Sequence, residues 1–273
     1  MKKTYIIAEI GINHQGDVNI AKKLIDIAAA SGCDAVKFQK RNPDKCVPED
    51  QKSKPRNWQG EEITYLEYKH KIEFGRSEYN EIDRYCKERN IAWSASPWDL
   101  DSLEFLMQYN IPFIKIPSAM LTNDKLISAA VNTNKKIILS TGMSTESEID
   151  NAVSLLGDNF ALLHCNSTYP APVNELNLSA IKTLQEKYNC EVGYSGHEML
   201  LGTTVSSVLL GATIIERHIT LDRNMEGSDH SSSVTPHGLF KLVSGVRELE
   251  QAYGDGKLIV TESEIPVRKK LRG

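Results

Sequence analysis

The sequence predicts a (β/α)8 TIM barrel, one domain over residues 1–273 with an insertion at about 40–75. Two observations carry the prediction. Eight short apolar runs alternate with eight amphipathic segments, as parallel strands alternate with crossover helices. Each run also begins apolar and ends polar, as barrel strands do when their C-terminal ends build a site. A doubly wound open sheet is the alternative, but it uses fewer repeats and a Gly-rich first turn. The turn Gly11–Gly16 has two glycines five apart and no Walker lysine.

The elements follow in order. Strand 4–10 ends at Glu9, with Asn13 and His14 beyond, and helix 18–31 stops at Gly32, a residue suited to the left-handed C-terminal position. Strand 34–39 carries Lys37 and Gln39, two apart and so on one face. The insertion then holds Pro43, Pro48, Pro55, Trp58, Tyr65 and Tyr68. So long an excursion after a strand usually serves a site, a plain surface excursion being the other reading. Helix 76–90 resumes the rhythm. Strand 91–96 ends in Ser94 and Ser96 before Pro97, and Asp99 opens helix 99–109. Strand 112–117 carries Lys115 and leads to Ser118, followed by helix 123–133. Strand 136–140 runs into Thr141-Gly142-Met143, and Thr145–Glu148 reads as a capping box for helix 145–156. Strand 159–165 leads to Ser167, Tyr169 and Pro170, ahead of helix 178–188. Strand 191–195 delivers Ser195 and His197, and helix 199–211 follows. Strand 213–219 delivers Glu216 and His218, then a loop with Gly227-Ser228-Asp229-His230, then helix 236–252.

Bulk properties narrow the partners. The chain is 40% hydrophobic and 25% charged, with net charge −4, which favours neither nucleic acid nor an anionic membrane. No apolar run reaches the roughly 18 residues of a transmembrane helix, and the Met1-Lys2-Lys3 start leads into a strand rather than a signal sequence. Five scattered cysteines without CxxC spacing fit reduced thiols in a cytoplasm.

The polar strand ends define a candidate site. Lys37 and Lys115 sit within apolar runs, and burying an ammonium group is costly unless an anion meets it. A small, highly charged ligand would supply that anion, with Ser96, Ser118, Ser167 and Ser195 as hydroxyl donors. A Schiff-base lysine is the other use of such a residue. His197 and His218 fall on neighbouring strands about 4.8 Å apart, and barrel closure brings Glu9 beside His218. Two imidazoles near carboxylates suit a divalent metal, and Asp229 could turn back over it.

Six ordered motifs carry a resemblance: Ala8–Gly16, Val36–Gln39, Ile138–Met143, Leu163–Pro170, Gly193–His197, and Glu216–His218 with Gly227–His230. From Ala8 to about Arg268 the chain resembles the sialic acid (N-acetylneuraminate) synthase family, barrel domain only, without the C-terminal antifreeze-like domain many members carry. The resemblance implies a transferase that joins phosphoenolpyruvate to an N-acetylmannosamine-like aldose. The products would be a 3-deoxy-2-keto sugar acid and phosphate. It implies Mn²⁺ or Mg²⁺ on His197 and His218, and phosphoenolpyruvate among Lys37, Ser96, Lys115, Ser118, Ser167, Ser195 and Glu216. Gln39, Tyr169 and Asp229 would face the sugar. Glu9, Glu216, Asp229 and His218 would serve catalysis. A homo-oligomer is expected. Departures fall on the sugar side, where Ser118-Ala119 is followed by Met120 instead of an acid and Gly227-Ser228-Asp229 replaces Gly-Pro-Asp. A Kdo-8-phosphate-type synthase is the nearest rival. Its phosphorylated acceptor would need extra cations, and Lys52, Lys54, Arg56, Lys69, Lys71 and Arg76 are on offer. A non-catalytic sugar-binding barrel is the remaining one.

Overall fold

The computed structural model describes residues 1–273. Eight parallel strands make the barrel: β1 (Tyr5–Gly11), β2 (Ala35–Lys40), β5 (Ala92–Pro97), β6 (Phe113–Ile116), β7 (Lys136–Ser140), β8 (Phe160–His164), β9 (Glu191–Gly196) and β10 (Ile214–His218). The hairpin β3 (Pro55–Trp58) and β4 (Glu61–Thr64) lies within the insertion. Strand order is β5-β2-β1-β10-β9-β8-β7-β6. No backbone ladder joins the two ends, β5 and β6; Ser94 Oγ donates to the Phe113 carbonyl across that seam at 2.5 Å.

Period-two alternation explains the interior. Side chains at Ile7, Ala35, Phe113, Ile138, Ala161, Leu163 and Ile214 form a small apolar cluster inside the barrel. Two residues further along the same face come Glu9, Lys37, Lys115, Ser140, Cys165 and Glu216. The same strand faces are thus apolar at the bottom and ionisable at the top. Alternate residues such as Ile6, Ala8, Val36, Phe38, Ile114 and Ile116 point outward into a 45-residue core beneath the helices. Each large aliphatic residue fully buried there contributes about 1.5–3 kcal/mol.

Helices lie where the periodicity placed them, with trimmed ends. Asp99 caps helix Leu100–Leu106, its Oδ1 accepting from Ser102 N at 2.8 Å. Helix Gly202–Leu209 begins three residues later than expected, and just before it the Leu200 carbonyl accepts from Arg217 at 3.3 Å. The insertion contributes two four-residue helices, the hairpin, and helix Tyr65–Ile72. The hairpin turn is Gln59-Gly60, both with positive φ (53° and 84°), matching a two-residue type I′ turn. Trp58, Tyr68 and Ile72 bury one another in a miniature core. Helix Glu264–Arg272 buries no residue. No helix is long and apolar enough to cross a membrane.

Candidate active site

The C-terminal mouth holds a cavity of about 160 Å³. Lining it are Glu9, Lys37, Gln39, Ser96, Lys115, Ser118, Ser167, Tyr169, Ser195, His197, Glu216 and His218. Of the residues singled out from sequence only Asp229 is outside this lining. It turns back over the mouth, its Oδ2 lying 3.7 Å from His218 Nδ1. A larger groove of about 690 Å³ runs along helices Glu146–Leu155 and Ala180–Tyr188. It contains neither Lys37 nor Lys115, and neither His197 nor His218, so size does not locate the chemistry.

The lysines are buried, but their counter-ions come from the chain itself. Lys37 Nζ lies 2.8 Å from Glu9 Oε2 and 3.8 Å from Glu216 Oε2, and donates to Ser96 Oγ at 2.9 Å. Lys115 Nζ lies 3.8 Å from Glu216 Oε1 and donates to Ser140 Oγ at 2.6 Å. Ser195 Oγ donates to Glu216 Oε1 at 3.1 Å. The inference that buried ammonium groups require an external anion is therefore corrected. Glu9 and Glu216 already fill that place, because strand register sets Glu9 beside both Lys37 and His218.

Electrostatics follow from this packing. Burial works against the charged form of Lys37, but Glu216 and Glu9 outweigh it and raise its pKa. Lys115 is lowered by burial, only partly offset by Glu216. Burial opposes ionisation of Glu216, yet Lys115 and Lys37 hold it down to about 2. Glu9 is raised, burial exceeding the pull of Lys37.

The imidazoles meet on one side of the mouth, ring centroids 5.6 Å apart. His197 Nδ1 faces the Asn166 carbonyl at 2.5 Å. A carbonyl only accepts, so Nδ1 carries the hydrogen and Nε2 presents a lone pair, toward the Tyr169 hydroxyl at 3.0 Å. Burial, with repulsion from His218, pushes the His197 pKa down to about 4 and keeps the ring neutral. His218 Nδ1 is buried with no hydrogen-bond partner. On the outer faces of the same strand ends, Arg217 donates to Thr204 Oγ1 at 2.6 Å and to the Glu198 carbonyl. That buried network ties β9 to β10 behind the histidines.

Several lining residues were given no site role from the sequence: Trp98, Ser140, Met143 and Cys165. Period two from Ile138 points to Ser140, and Trp98 stands two positions after Ser96, so both carried a signal. Gly142 closes the wall because a Cβ there would sit 2.8 Å from Cys165 Sγ and 2.9 Å from Ser118 Oγ.

Comparison with known proteins gives consistent findings. A model described as the NeuB family matches residues 24–258. N,N'-diacetyllegionaminic acid synthase of Campylobacter jejuni is 41% identical over 272 residues, 97% of this chain and 81% of that protein. Human N-acetylneuraminate-9-phosphate synthase is 37% identical over 276 residues, 98% and 76% of the respective chains. The crystal structure of an N-acetylneuraminic acid synthetase from Leptospira borgpetersenii, in complex with citrate, matches with TM-score 0.86 at 35% identity. It covers 99% of this chain and 93% of that one.

Proposed function

The chain belongs to the NeuB family, and from that membership we propose that it is a phosphoenolpyruvate-dependent synthase. It joins the three-carbon enol phosphate to an N-acetylmannosamine-like aldose, giving a nonulosonic 3-deoxy-2-keto acid and phosphate. One observation carries the reading: two buried lysines, their shared Glu216 and an imidazole pair line a single small cavity at the barrel mouth.

The residues divide the work. Lys37 and Lys115 bind the phosphate and carboxylate of the enol phosphate, with Ser96, Ser118, Ser167 and Ser195 as neutral donors, in a dry site where such contacts count most. Glu216 is held by Lys37, Lys115 and Ser195, so its task is to fix the two ammonium groups. Gln39, Tyr169 and Asp229 orient the sugar. Carbon 3 of the enol phosphate attacks the aldehyde carbon, water adds at carbon 2, and the C–O bond breaks to release phosphate. Glu9 is the acid placed to move a proton in that sequence, with Asp229 on the sugar side.

His197 and His218 fit a divalent ion. One has an Nε2 lone pair met only by the Tyr169 hydroxyl, which an ion would displace, and the other has a buried nitrogen without a partner. Charge points the same way. Glu9, Glu216 and Asp229 outnumber the two ammonium groups, so a highly anionic substrate needs further positive charge. No group of three or more His, Cys, Asp or Glu is placed to hold a metal, so the imidazole pair would share the ion with substrate and water oxygens. Mn²⁺ or Mg²⁺ bound there would supply Lewis-acid polarisation of the aldehyde oxygen. A cytoplasmic setting and association between copies belong to the same proposal. The five unpaired cysteines support the first; the exposed Leu258, Ile259 and Val260 support the second.

The test is phosphate release from phosphoenolpyruvate with Mn²⁺ across a panel of aldoses. Release with N-acetylmannosamine or its 6-phosphate is expected. Release with arabinose 5-phosphate alone would move the activity to the five-carbon class. Borohydride should trap no adduct with a keto acid, because a Schiff base plays no part.

A further inference from the structure

Beside the catalytic cavity lies a second one of about 190 Å³, lined by Arg41, Tyr65, Lys69, Glu73 and Trp98 among others. Trp98 is a shared wall, lining both cavities. The two are also joined by hydrogen bonding, since Arg41 donates to Gln39 Oε1 at 2.5 Å.

The cations here differ from others in the insertion. Lys52 is paired with Glu49 at 2.7 Å and Lys71 with Glu61 at 3.4 Å, and the Arg76 side chain bonds Gln108. Arg41, Arg56 and Lys69 have no carboxylate within ion-pair distance. Arg41 stacks 3.9 Å over Trp98, Arg56 stacks 3.9 Å over Tyr68, and Lys69 Nζ lies 5.1 Å from the Tyr65 ring. The acid in the cavity is already taken, Glu73 accepting from Lys40 Nζ at 2.6 Å and from Arg41 N at 3.1 Å. Two buried donors nearby, Arg56 Nε and Trp98 Nε1, donate to nothing in the chain. Burial, then repulsion from Arg41 and Arg56, brings the Lys69 pKa down to about 8. Asp229, which faces His218, also feels Arg41 and Lys69. The mouth therefore runs from the imidazoles past Asp229 to the cations.

We propose that this outer cavity binds a phosphate monoester on the acceptor sugar, at the end remote from its aldehyde. Arg41 and Lys69 are its ligands and Arg56 adds charge from behind Tyr68. The proposal rests on the synthase reading and refines it: the acceptor this chain takes is a phosphorylated aldose. A phosphate supplies the counter-charge and acceptor oxygens that the cluster lacks, and bidentate guanidinium contacts suit it.

The test compares initial rates of inorganic phosphate release from phosphoenolpyruvate, with Mn²⁺, for N-acetylmannosamine and its 6-phosphate. The native chain should favour the phosphosugar in kcat/KM by about 100-fold, each charged contact being worth roughly a factor of ten or more. Lys69→Met should raise KM for the phosphosugar about tenfold and shrink the ratio accordingly, and Lys69→Arg should keep most of it. General damage would lower both rates together and leave the ratio alone. Equal or better use of the unphosphorylated sugar by the native chain would overturn this proposal and leave the synthase reading intact. No release with either sugar, and no stabilisation of the fold by phosphoenolpyruvate, would overturn both.

Discussion

The inner and outer cavities share the Trp98 ring but treat positive charge in opposite ways. Lys37 and Lys115 have carboxylates at 2.8–3.8 Å. Arg41 and Lys69 have aromatic faces and each other. Ion pairs made in advance hold the inner lysines in one geometry before substrate arrives, as electrostatic catalysis requires. Unpaired cations wait for a ligand to complete them, as a specificity subsite does. On the proposed reading the inner charges serve the fold and the chemistry, and the outer ones serve recognition.

The largest effect should come from the inner site. His218→Ala should lower turnover by at least about 10³-fold, the upper range for removing one electrostatic stabiliser, and added Mn²⁺ should not restore it. Steady-state phosphate release checks this, with Mn²⁺ affinity measured separately by calorimetry. Activity near the native level would break the assignment of the imidazole pair.

Lys37→Met should hurt activity and fold together. It removes a proposed substrate contact and strands Glu9 in a buried position, and breaking a buried pair this way costs about 3–5 kcal/mol. For a chain of this size Tm should fall by roughly 5–15 °C, with kcat/KM for phosphoenolpyruvate down about 100-fold. Lys69→Met sharpens the contrast from the other side. It removes a desolvated ammonium group flanked by like charges, so Tm should stay level or rise by about 1–3 °C. A clear loss of stability in that variant would show that Lys69 holds the insertion in place.

The legibility of the two cavities differs for a physical reason. The inner one is set by strand periodicity, which sequence displays. Lys37 and Gln39 share a face two residues apart, and Glu9, Lys115, Ser195 and Glu216 stand at apolar-to-polar boundaries. Register did the rest, pairing Glu9 with His218. The outer cavity depends on chain reversal. Lys69 meets Arg41 because the Gln59-Gly60 turn and the Thr64–Glu67 capping box fold the insertion back on itself. Pro55-Arg56-Asn57-Trp58 shows no alternation of apolar residues, so the hairpin gave no periodic signal. The extra cations were visible in composition. Which of them converge was decided by tertiary contacts such as Arg41 on Trp98.

His14 supplies a third regime against which both cavities can be judged, a buried ionisable group with neither a counter-ion nor a ligand. It stacks on Phe74 at 3.8 Å and accepts from Gly16 N at 3.1 Å. Burial pushes its pKa down to about 3. Between pH 6.5 and about 3 the unfolded chain therefore binds a proton that the folded chain refuses, so stability falls as pH drops through that window. The slope from this one residue approaches about 1.4 kcal/mol per pH unit in the middle of the range. His14→Gln should lose some stability at pH 7 but flatten the acid limb of Tm against pH. If the two curves run parallel from pH 6.5 to 4, His14 is not neutral in the fold, and acid sensitivity must be sought in carboxylates that the fold holds below their usual range, Glu216 and Asp229 among them.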